Sequence, residues 1–340
     1  MTRQQNKLFL ITILSSVIVI WLSVEGWSLK HFLTAPISDN EEISIITIPK
    51  GASSNKIITI LEEHRLIREP TWFKLLLKYK GKEGDLKAGE ILIDPRWTVH
   101  QLIDALVEGK QVAYPVTIIA GETFAQTVAK LASIEKLKQS TPLADFEQLK
   151  KELGIEGHLE GMLLPETYLF TAYTTAESVL KRAHQELEKV LAEAWKNRQA
   201  NLPLKSKYEA LILASIVEKE TGVAHERPII AGVFINRLRK GMRLQSDPTV
   251  IYGMGDKFDG NIRKKDLQTY TPYNTYRISG LPPTPISLAS RESIEAVLNP
   301  ADTTALYFVA KGNGEHVFSN TLVEHNRAVQ QYLKFLRERK

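Results

Sequence analysis

The sequence predicts an α+β protein with a single amino-terminal transmembrane helix, a small α+β subdomain and a larger mixed α+β domain. Three observations lead to this prediction. An uncharged apolar run occupies residues 8–24, short strand-like runs alternate with helical patterns between residues 43 and 131, and two long helical patterns follow within residues 175–220. The predicted boundaries place the cytoplasmic tip and anchor at 1–28, a connector at 29–42, the subdomain at 43–111 and the larger domain at 112–340.

The composition is that of an ordinary globular protein. Of the 340 residues, 43% are hydrophobic and 24% are charged, which excludes disorder, a collagen-like repeat and a multi-span membrane protein. The chain has no Cys, which excludes disulfide frameworks, thiolate zinc sites, iron–sulfur clusters and a cysteine nucleophile. The net charge of +5 is compatible with nucleic acid, anionic lipid or an acidic polymer and selects none of them.

The apolar run at residues 8–24 has the length and composition of a short transmembrane helix. Tryptophans near its carboxyl end suit the membrane interface, and Arg3 and Lys7 precede it. The positive-inside rule then predicts residues 1–7 in the cytoplasm and everything after about residue 28 outside the cytoplasmic membrane. A cleaved signal peptide and a buried core helix are the alternatives, although no A-x-A-like cleavage site follows the run.

An extracytoplasmic location determines which partners we expect. The cytoplasmic membrane and a wall polymer become the expected partners, and nucleic acid is not expected despite the positive charge. The basic runs Arg237–Arg243 and Arg263–Lys265 are accordingly predicted to be solvated faces or contacts to an anionic polymer.

One local pattern occurs twice after the connector. An apolar strand-like run, a glycine turn and a capped helix appear at residues 43–61 and again, 70 residues later, at residues 116–131. The second copy, with Gly121 at the turn and Thr123 at the helix start, resembles the LysM sugar-binding module. Because any strand–turn–helix unit shares this pattern, the sequence leaves open whether the two copies are a true internal repeat.

Further elements complete the subdomain between these copies. Residues 72–79 and 98–107 have helical patterns, and residues 89–93 form a strand-like run. Residues 43–111 are therefore expected to form a LysM-like α+β subdomain. Beyond it, apolar residues recur at helical spacing over residues 175–200, which predicts a long amphipathic helix packed on a core.

The stretch Tyr208–Glu220 combines a strongly apolar helical pattern with two carboxylates at its end, Glu218 and Glu220. A carboxyl group there is a candidate general acid, because desolvation and the helix dipole both disfavour its charged form. A solvated helix end is the plainer interpretation. The two side chains lie about 200° apart around the helix axis, so only one can face a given cleft. Glu218 shares its face with the small residues Ala214 and Ser215, which could leave room for a ligand. This favours Glu218 as the general acid but does not exclude Glu220.

A proline-rich loop at residues 271–287 is the second candidate feature. Its four Pro and one Gly argue against a helix or a central strand. Its tyrosines, amide and hydroxyl groups suit pyranose binding, and a rigid structural loop is the alternative. No metal site and no cofactor are predicted, because the eight His are scattered and neither H-E-x-x-H, a P-loop nor a dinucleotide fingerprint occurs.

Several longer motifs resemble the YceG-like family, in the order in which that family has them. The resemblance runs from the anchor to about Asn326. The motifs are ASIVEKE at 214–220, VFINRL at 233–238, LQSDPTV at 244–250, PYNTY at 272–276, GLPP at 280–283, and Glu160-Gly161 with LPETY at 164–168. The chain departs from the family at Pro283-Thr284-Pro285 and at Ala289-Ser290, where Pro-Gly-Pro and Pro-Gly are usual. Both departures affect loop stiffness more than chemistry.

The resemblance implies a single-span inner-membrane protein with a periplasmic catalytic domain at 112–340. It implies cleavage of the MurNAc–GlcNAc β-1,4 bond of nascent glycan strands to a 1,6-anhydro end, with Glu218 as the catalytic acid and base. One carboxyl group suffices, because the C6 hydroxyl rather than water attacks. Peptidoglycan glycan strands are the expected partner, with peptidoglycan synthases (penicillin-binding proteins) as further partners. The expected substrate-binding residues are Gln245, Ser246, Asp247, Tyr273, Asn274, Thr275 and Tyr276.

Two other functions stay open at this point. A hydrolytic muramidase would use Asp247 as the base that activates water. A non-catalytic scaffold would bind glycan through residues 43–131 and recruit wall synthases.

Overall fold

The computed structural model describes residues 3–39, 42–139 and 142–338. Asn40 and Glu41 of the predicted connector and the first two residues of the predicted cytoplasmic tip lie outside the described residues. The helices are α1 Arg3–Thr34, α2 Ser54–Glu63, α3 Pro70–Tyr79, α4 Val99–Glu108, α5 Phe124–Ala132, α6 Phe146–Leu153, α7 Ala176–Lys196, α8 Lys207–Glu220, α9 Arg227–Arg239, α10 Asp247–Met254, α11 Lys264–Gln268, α12 Arg291–Leu298 and α13 Leu322–Glu338. The strands are β1 Ser44–Ile48, β2 Gly89–Ile93, β3 Ala113–Thr117, β4 Thr167–Thr171, β5 Tyr307–Ala310 and β6 His316–Ser319. The predicted mixed α+β class is confirmed.

The chain divides into two compact units. The first comprises the residues up to Tyr114 together with Thr171–Tyr173, and the second comprises Pro115–Phe170 together with the residues from Thr174 on. Among the described residues, the strands form three two-stranded sheets, β1–β2, β3–β4 and β5–β6. The LysM-like and catalytic assignments of the two parts stay predictions.

Helix α1 is longer than the apolar run that predicts it. Its segment Thr12–Thr34 contains 23 residues with a mean hydropathy of 1.5, which is long and apolar enough to cross a membrane. At 1.5 Å per residue this segment measures roughly 34 Å, against roughly 30 Å for a hydrocarbon core. The buried-core alternative is wrong, because side chains such as Trp21 (60% exposed) do not pack on the protein. Residues 29–34, predicted as connector, are helical, and Phe32 and Leu33 pack on the core of the first unit.

In the first unit, β1 and β2 pair antiparallel with Ile46 opposite Ile91. Alternate side chains of both strands point into a core that α2, α3 and α4 complete. Thr98 caps α4, and Gly109 ends that helix in the left-handed conformation at φ +66°. The strands and helices predicted within residues 43–107 are thereby confirmed to within a few residues at their ends.

In the second unit, α8 lies at the centre of the core. All residues from Ala210 to Val217 are buried, because α7, α9 and α12 pack around the helix. A helix that is covered on every side has no solvated face, which explains its nearly continuous apolar sequence. The helix begins at the Ser206 cap and ends at Glu220, so both candidate carboxylates lie in its final turn.

The other predicted features of this unit also occur. Gly121 turns the chain at φ +79° between β3 and α5, and Thr123 caps α5, as the repeated pattern predicts. The long amphipathic helix predicted at 175–200 is α7. The loop at 271–287 contains neither helix nor strand, and β5 and β6 form a hairpin on which α13 packs.

Candidate active site

Glu218 faces the start of α12. Its Oε2 accepts hydrogen bonds from the Ser290 N–H at 2.9 Å, from the Ser290 hydroxyl and from the Ser293 hydroxyl at 2.7 Å. Ser290 is the N-cap of α12, so this carboxylate completes the cap. The small side chains on this face of α8 leave no room for a ligand, because the Ser215 hydroxyl accepts from the Ile286 N–H at 3.0 Å and the loop fills the space. The sequence-based reason for favouring Glu218 is therefore wrong.

Glu220, the last residue of α8, lines a cleft of about 440 Å³. Its Oε1 accepts a hydrogen bond from the Ser246 hydroxyl at 2.5 Å. The side chains around the carboxyl group are aromatic, amide, acidic and basic. The residues that line the cleft are Glu220, Arg237, Leu244, Gln245, Asp247, Tyr276, Tyr307, Phe308, Val309, Ala310, His316, Leu322, His325 and Asn326.

The surroundings of Glu220 favour its protonated form. Burial raises the pKa of Glu220 from its ordinary 4.5 to about 7, and the negative charge of Asp247 adds to this shift. The Ser246 hydroxyl and the Arg237 guanidinium lower the pKa but do not cancel the effect of burial. At neutral pH the group is therefore present in both forms, as a side chain that first donates and then accepts a proton requires.

Three residues predicted to bind substrate, Gln245, Asp247 and Tyr276, line the same cleft. The Tyr276 hydroxyl donates to Asp247 Oδ1 at 2.6 Å, and burial together with this hydrogen bond raises the pKa of Tyr276. Gln245 adopts the left-handed conformation at φ +53°, which is uncommon for a residue with a side chain. A fourth predicted residue, Ser246, reaches the site through its hydrogen bond to Glu220.

Asn274 and Thr275 are buried, at 1% and 0% exposure, and do not line the cleft. The Asn274 side-chain amide donates to three carbonyl groups within residues 266–269. Thr275 Oγ1 accepts from the Ser246 N–H at 2.9 Å. Both side chains thus hold the loop that carries Tyr276 and the segment that begins α10.

Tyr273 faces a different pocket. Its hydroxyl lies 2.9 Å from Thr284 Oγ1, and its ring packs on the Tyr252 ring with 4.8 Å between centroids. The structure therefore separates Tyr273 from the other predicted substrate-binding residues.

Arg237 belongs to a basic run predicted to be a solvated face or a contact to an anionic polymer, and for this residue the solvated alternative is wrong. It is 7% exposed, and its Nε donates to Leu306 O at 2.6 Å and its Nη1 to Leu244 O at 2.8 Å. These bonds join the chain before β5 to the chain before α10. A signal was present in the sequence: Arg237 stands four and seven residues from the hydrophobic positions Val233 and Ile230, on one helix face.

Two histidines, His316 and His325, line the cleft, and the sequence does not predict this role for them. His316 Nδ1 lies 2.8 Å from Glu226 Oε2, and its backbone N–H donates to Glu226 Oε1 at 2.7 Å. Burial works to raise the pKa of Glu226, but its hydrogen bonds with His316 outweigh burial and lower it. The His325 ring stacks on Tyr307 at 5.2 Å, and burial and Arg237 lower the pKa of His325. In the described part of the chain, no three or more His, Asp or Glu side chains lie close enough together to hold a metal ion.

The fold and this cleft define a class: over the described residues, a mixed α+β protein with one helix long and apolar enough to cross a membrane and a cleft that contains a partly buried carboxyl group of raised pKa. Comparison with known proteins makes the assignment specific. The chain belongs to the YceG-like family, whose family model matches residues 46–331.

The chain is similar to two named proteins and to one solved structure. It is 35% identical over 331 residues to a Bacillus subtilis protein named endolytic murein transglycosylase, covering 90% of each chain. It is 31% identical over 335 residues to a protein of the same name from Streptococcus pneumoniae, covering 88% of this chain and 60% of that one. A crystal structure of a yceG-like protein from Listeria monocytogenes matches with a TM-score of 0.54 at 32% identity, covering 85% of this chain and 99% of that chain.

Proposed function

We propose that this protein is an endolytic transglycosylase of murein that acts as a lyase. Its relatives of that name match it over most of its length. The observation that carries the proposal for the chemistry is Glu220, a partly buried carboxyl group at a helix end in a cleft, with its pKa raised to about 7. The reaction needs one such group and no second carboxylate to activate water.

The proposed substrate bond is the MurNAc–GlcNAc β-1,4 linkage. The protonated Glu220 carboxyl group donates its proton to the glycosidic oxygen while the bond from that oxygen to C1 of MurNAc breaks. The resulting carboxylate accepts the proton of the C6 hydroxyl, whose oxygen forms a new bond to C1 and closes the 1,6-anhydro ring. Glu220 ends the cycle protonated, and no water is consumed.

The geometry favours Glu220 over Glu218 for this role. Glu218 Oε2 already accepts three hydrogen bonds at the start of α12, and Glu218 does not line the cleft that Glu220 lines. A general acid must reach the leaving oxygen directly or through one water molecule. We therefore assign Glu218 to positioning α12 against α8 and transfer the catalytic role expected for it to Glu220.

The cleft walls support binding of a polar, hydroxyl-rich ligand. Gln245, Tyr276 and Asn326 offer amide and hydroxyl groups, and Tyr307 offers an aromatic ring. The breaking of the glycosidic bond develops positive charge at the sugar ring, and the Asp247 carboxylate in the same cleft would stabilise that charge.

We further propose that α1 anchors the protein in the cytoplasmic membrane with its amino terminus inside and the rest of the chain in the periplasm. The exposed apolar helix and the positive charges before it support this orientation. Such a location would bring the catalytic unit to nascent glycan strands and to the synthases that make them. We retain residues 43–111 as a LysM-like subdomain in this proposal, with glycan binding as its expected role.

The test uses the full chain in detergent with uncrosslinked glycan strands, and the products are read by mass spectrometry. The wild type is expected to release strands with 1,6-anhydroMurNAc ends, and Glu220→Gln is expected to lose at least 10²-fold in kcat, the lower range for one general acid. Glu218→Gln is the matched control, since it makes the same change two residues away on the other side of α8. Loss of activity in Glu218→Gln with an active Glu220→Gln would contradict the assignment.

The same products separate the other candidate functions. A muramidase is the second candidate, because Asp247 lies in the same cleft as Glu220 and could activate a water molecule. A muramidase would leave reducing ends heavier by one water. A non-catalytic scaffold would bind the strands and release no product at all.

A further inference from the structure

A second pocket, of about 340 Å³, lies in the same unit as the Glu220 cleft. Two segments contribute residues to both sites. Helix α10 has Asp247 in the cleft and Tyr252 in the second pocket, and the loop at 271–287 has Tyr276 in the cleft and Tyr273 and Thr284 in the second pocket. The rise along α10 from Asp247 to Tyr252 is about 7.5 Å, so the two sites are neighbours.

Glu160 supplies the second pocket with a held carboxylate. Its Oε1 accepts from the Phe124 N–H at 2.9 Å and from the Gly161 N–H at 3.1 Å, and its Oε2 accepts from the Tyr252 hydroxyl at 3.2 Å. Gly161 has φ +78°, and a Cβ there would lie 2.4 Å from Pro285, so a glycine is required at this turn. The Glu160 side chain is thus fixed by two backbone N–H groups and one hydroxyl, and burial raises its pKa.

Aromatic rings form the rest of the pocket. Tyr252 and Tyr273 meet edge to face, and Phe146, which is 39% exposed, lies at its rim. The Tyr273 hydroxyl is held by Thr284, which leaves the ring fixed. Fixed rings beside a carboxylate oxygen match a pyranose, whose C–H face packs on an aromatic ring and whose hydroxyls need acceptors.

We propose that this second pocket, formed by Glu160, Tyr252 and Tyr273, binds a sugar residue of the glycan strand at a distance from the bond that is cleaved. The inference rests on the proposed function, because it takes the same polymer as the ligand. Binding energy from such a remote residue improves orientation at the reacting bond, so long strands react faster than short ones. In this proposal Tyr273 contacts glycan, as the sequence predicts, but does so in the second pocket rather than in the Glu220 cleft.

The experiment measures kcat/KM of the full chain in detergent on peptide-free glycan strands of graded length. For Tyr273→Ala we expect a loss of about tenfold on long strands, equivalent to ~1.4 kcal/mol, and no loss on the shortest strand that is cleaved. Tyr273→Phe keeps the ring but loses the hydroxyl that Thr284 holds, and is expected to lose less than Tyr273→Ala on long strands. Tyr270→Ala is the matched control, since Tyr270 is 71% exposed in the same region and lies in neither site.

Several outcomes would overturn the proposal. They are an equal loss at every strand length, no loss at any length, or a loss seen only with strands that carry stem peptides, which would make the peptide the ligand. Thermal unfolding of each variant separates a folding defect from a binding defect, and a wild-type midpoint is required for Tyr273→Ala. If this variant does not fold, Glu160→Gln, which keeps an acceptor for the two backbone N–H groups, takes its place with the same expectation.

A binding measurement distinguishes failure of this proposal from failure of the proposed function. Labelled peptide-free strands are titrated into full-length Glu220→Gln with and without Tyr273→Ala. A tenfold higher Kd in the double variant supports the second pocket even if the wild type releases no anhydro product. An unchanged Kd overturns it even if the wild type cleaves.

Discussion

The hydrogen bond from Ser246 to Glu220 allows the acid–base assignment to be tested by the pH dependence of activity. The Ser246 hydroxyl donates to Glu220 Oε1 at 2.5 Å and lowers the pKa of Glu220, against the larger effect of burial. In Ser246→Ala this donor is lost. Ser246 makes no side-chain capping bond to α10, so the substitution leaves the start of that helix intact.

The size of the effect follows from the two protonation states. A hydrogen bond to a charged group contributes about 1.5–3 kcal/mol and one between neutral groups about 0.5–1.5 kcal/mol. Loss of the donor therefore disfavours the carboxylate over the acid by roughly 1–1.5 kcal/mol, which raises the pKa of Glu220 by about one unit. Because activity requires the protonated acid, it falls as the pH rises through this pKa. The alkaline limb of kcat/KM, expected near pH 7 in the wild type, should move about one pH unit upward.

Asp247→Asn provides the opposite shift. The Asp247 charge raises the pKa of Glu220, so its removal should move the same limb to lower pH. The assay is the rate of anhydro-end release from uncrosslinked strands between pH 5 and about 9, with the full chain. Limbs that stay in place, or that move in the same direction in both variants, would refute Glu220 as the titrating acid. Glu218→Gln should leave the limb unchanged.

Three further predictions concern stability. The folded state raises the pKa of Glu220 from 4.5 to about 7, so the contribution of this group to the free energy of unfolding is fully present below pH 4.5 and is lost as the pH rises through 7. Glu220→Gln, which cannot ionise, should therefore be more stable than wild type by about 3 kcal/mol at pH 8, measured by denaturant unfolding. Glu218→Ala leaves the Ser290 and Ser293 hydroxyls without their acceptor and should lower the free energy of unfolding by about 1–3 kcal/mol at neutral pH, against no change in a surface Glu→Ala variant. Phe73→Ala, in the core of the first unit, should cost about 3–5 kcal/mol, and a cost below 1 kcal/mol would contradict the packing of that core.

Elements set by local chemistry could be predicted from the sequence. The Ser53, Thr98 and Thr123 hydroxyls each cap the helix that the pattern predicts, because a capping bond joins residues only three positions apart. Gly109 ends α4 for an equally local reason. The length of α1 was underestimated, because its last turn gains stability from packing on the first unit rather than from its own apolar composition.

The candidate site could be predicted only in part. Gln245, Asp247 and Tyr276 were identified as candidates and lie together with Glu220. Tyr273 belongs to the same short motif as Tyr276 but lines another pocket. The two residues lie in an irregular loop, where side-chain directions do not follow the period of a helix or a strand. The histidines of the cleft come from the last elements of the chain, and nothing local marks them as neighbours of α8.

The sequence by itself determined the α+β class, the apolar helix at the amino terminus, the elements within residues 43–107 to within a few residues and a helix that ends in two carboxylates. These properties depend on composition and on contacts within a few residues. Only the tertiary structure decided which carboxylate enters the cleft. Glu218 and Glu220 have similar neighbours along the chain, and their difference comes from segments distant in sequence. Ser290 and Ser293 bind the Glu218 carboxylate, whereas Ser246 and the residues of the cleft surround the Glu220 carboxyl group. Long-range packing sets the hydrogen bonds and the desolvation that distinguish a candidate general acid, Glu220, from a carboxylate that completes a helix cap, Glu218. A pattern along the sequence does not contain this packing.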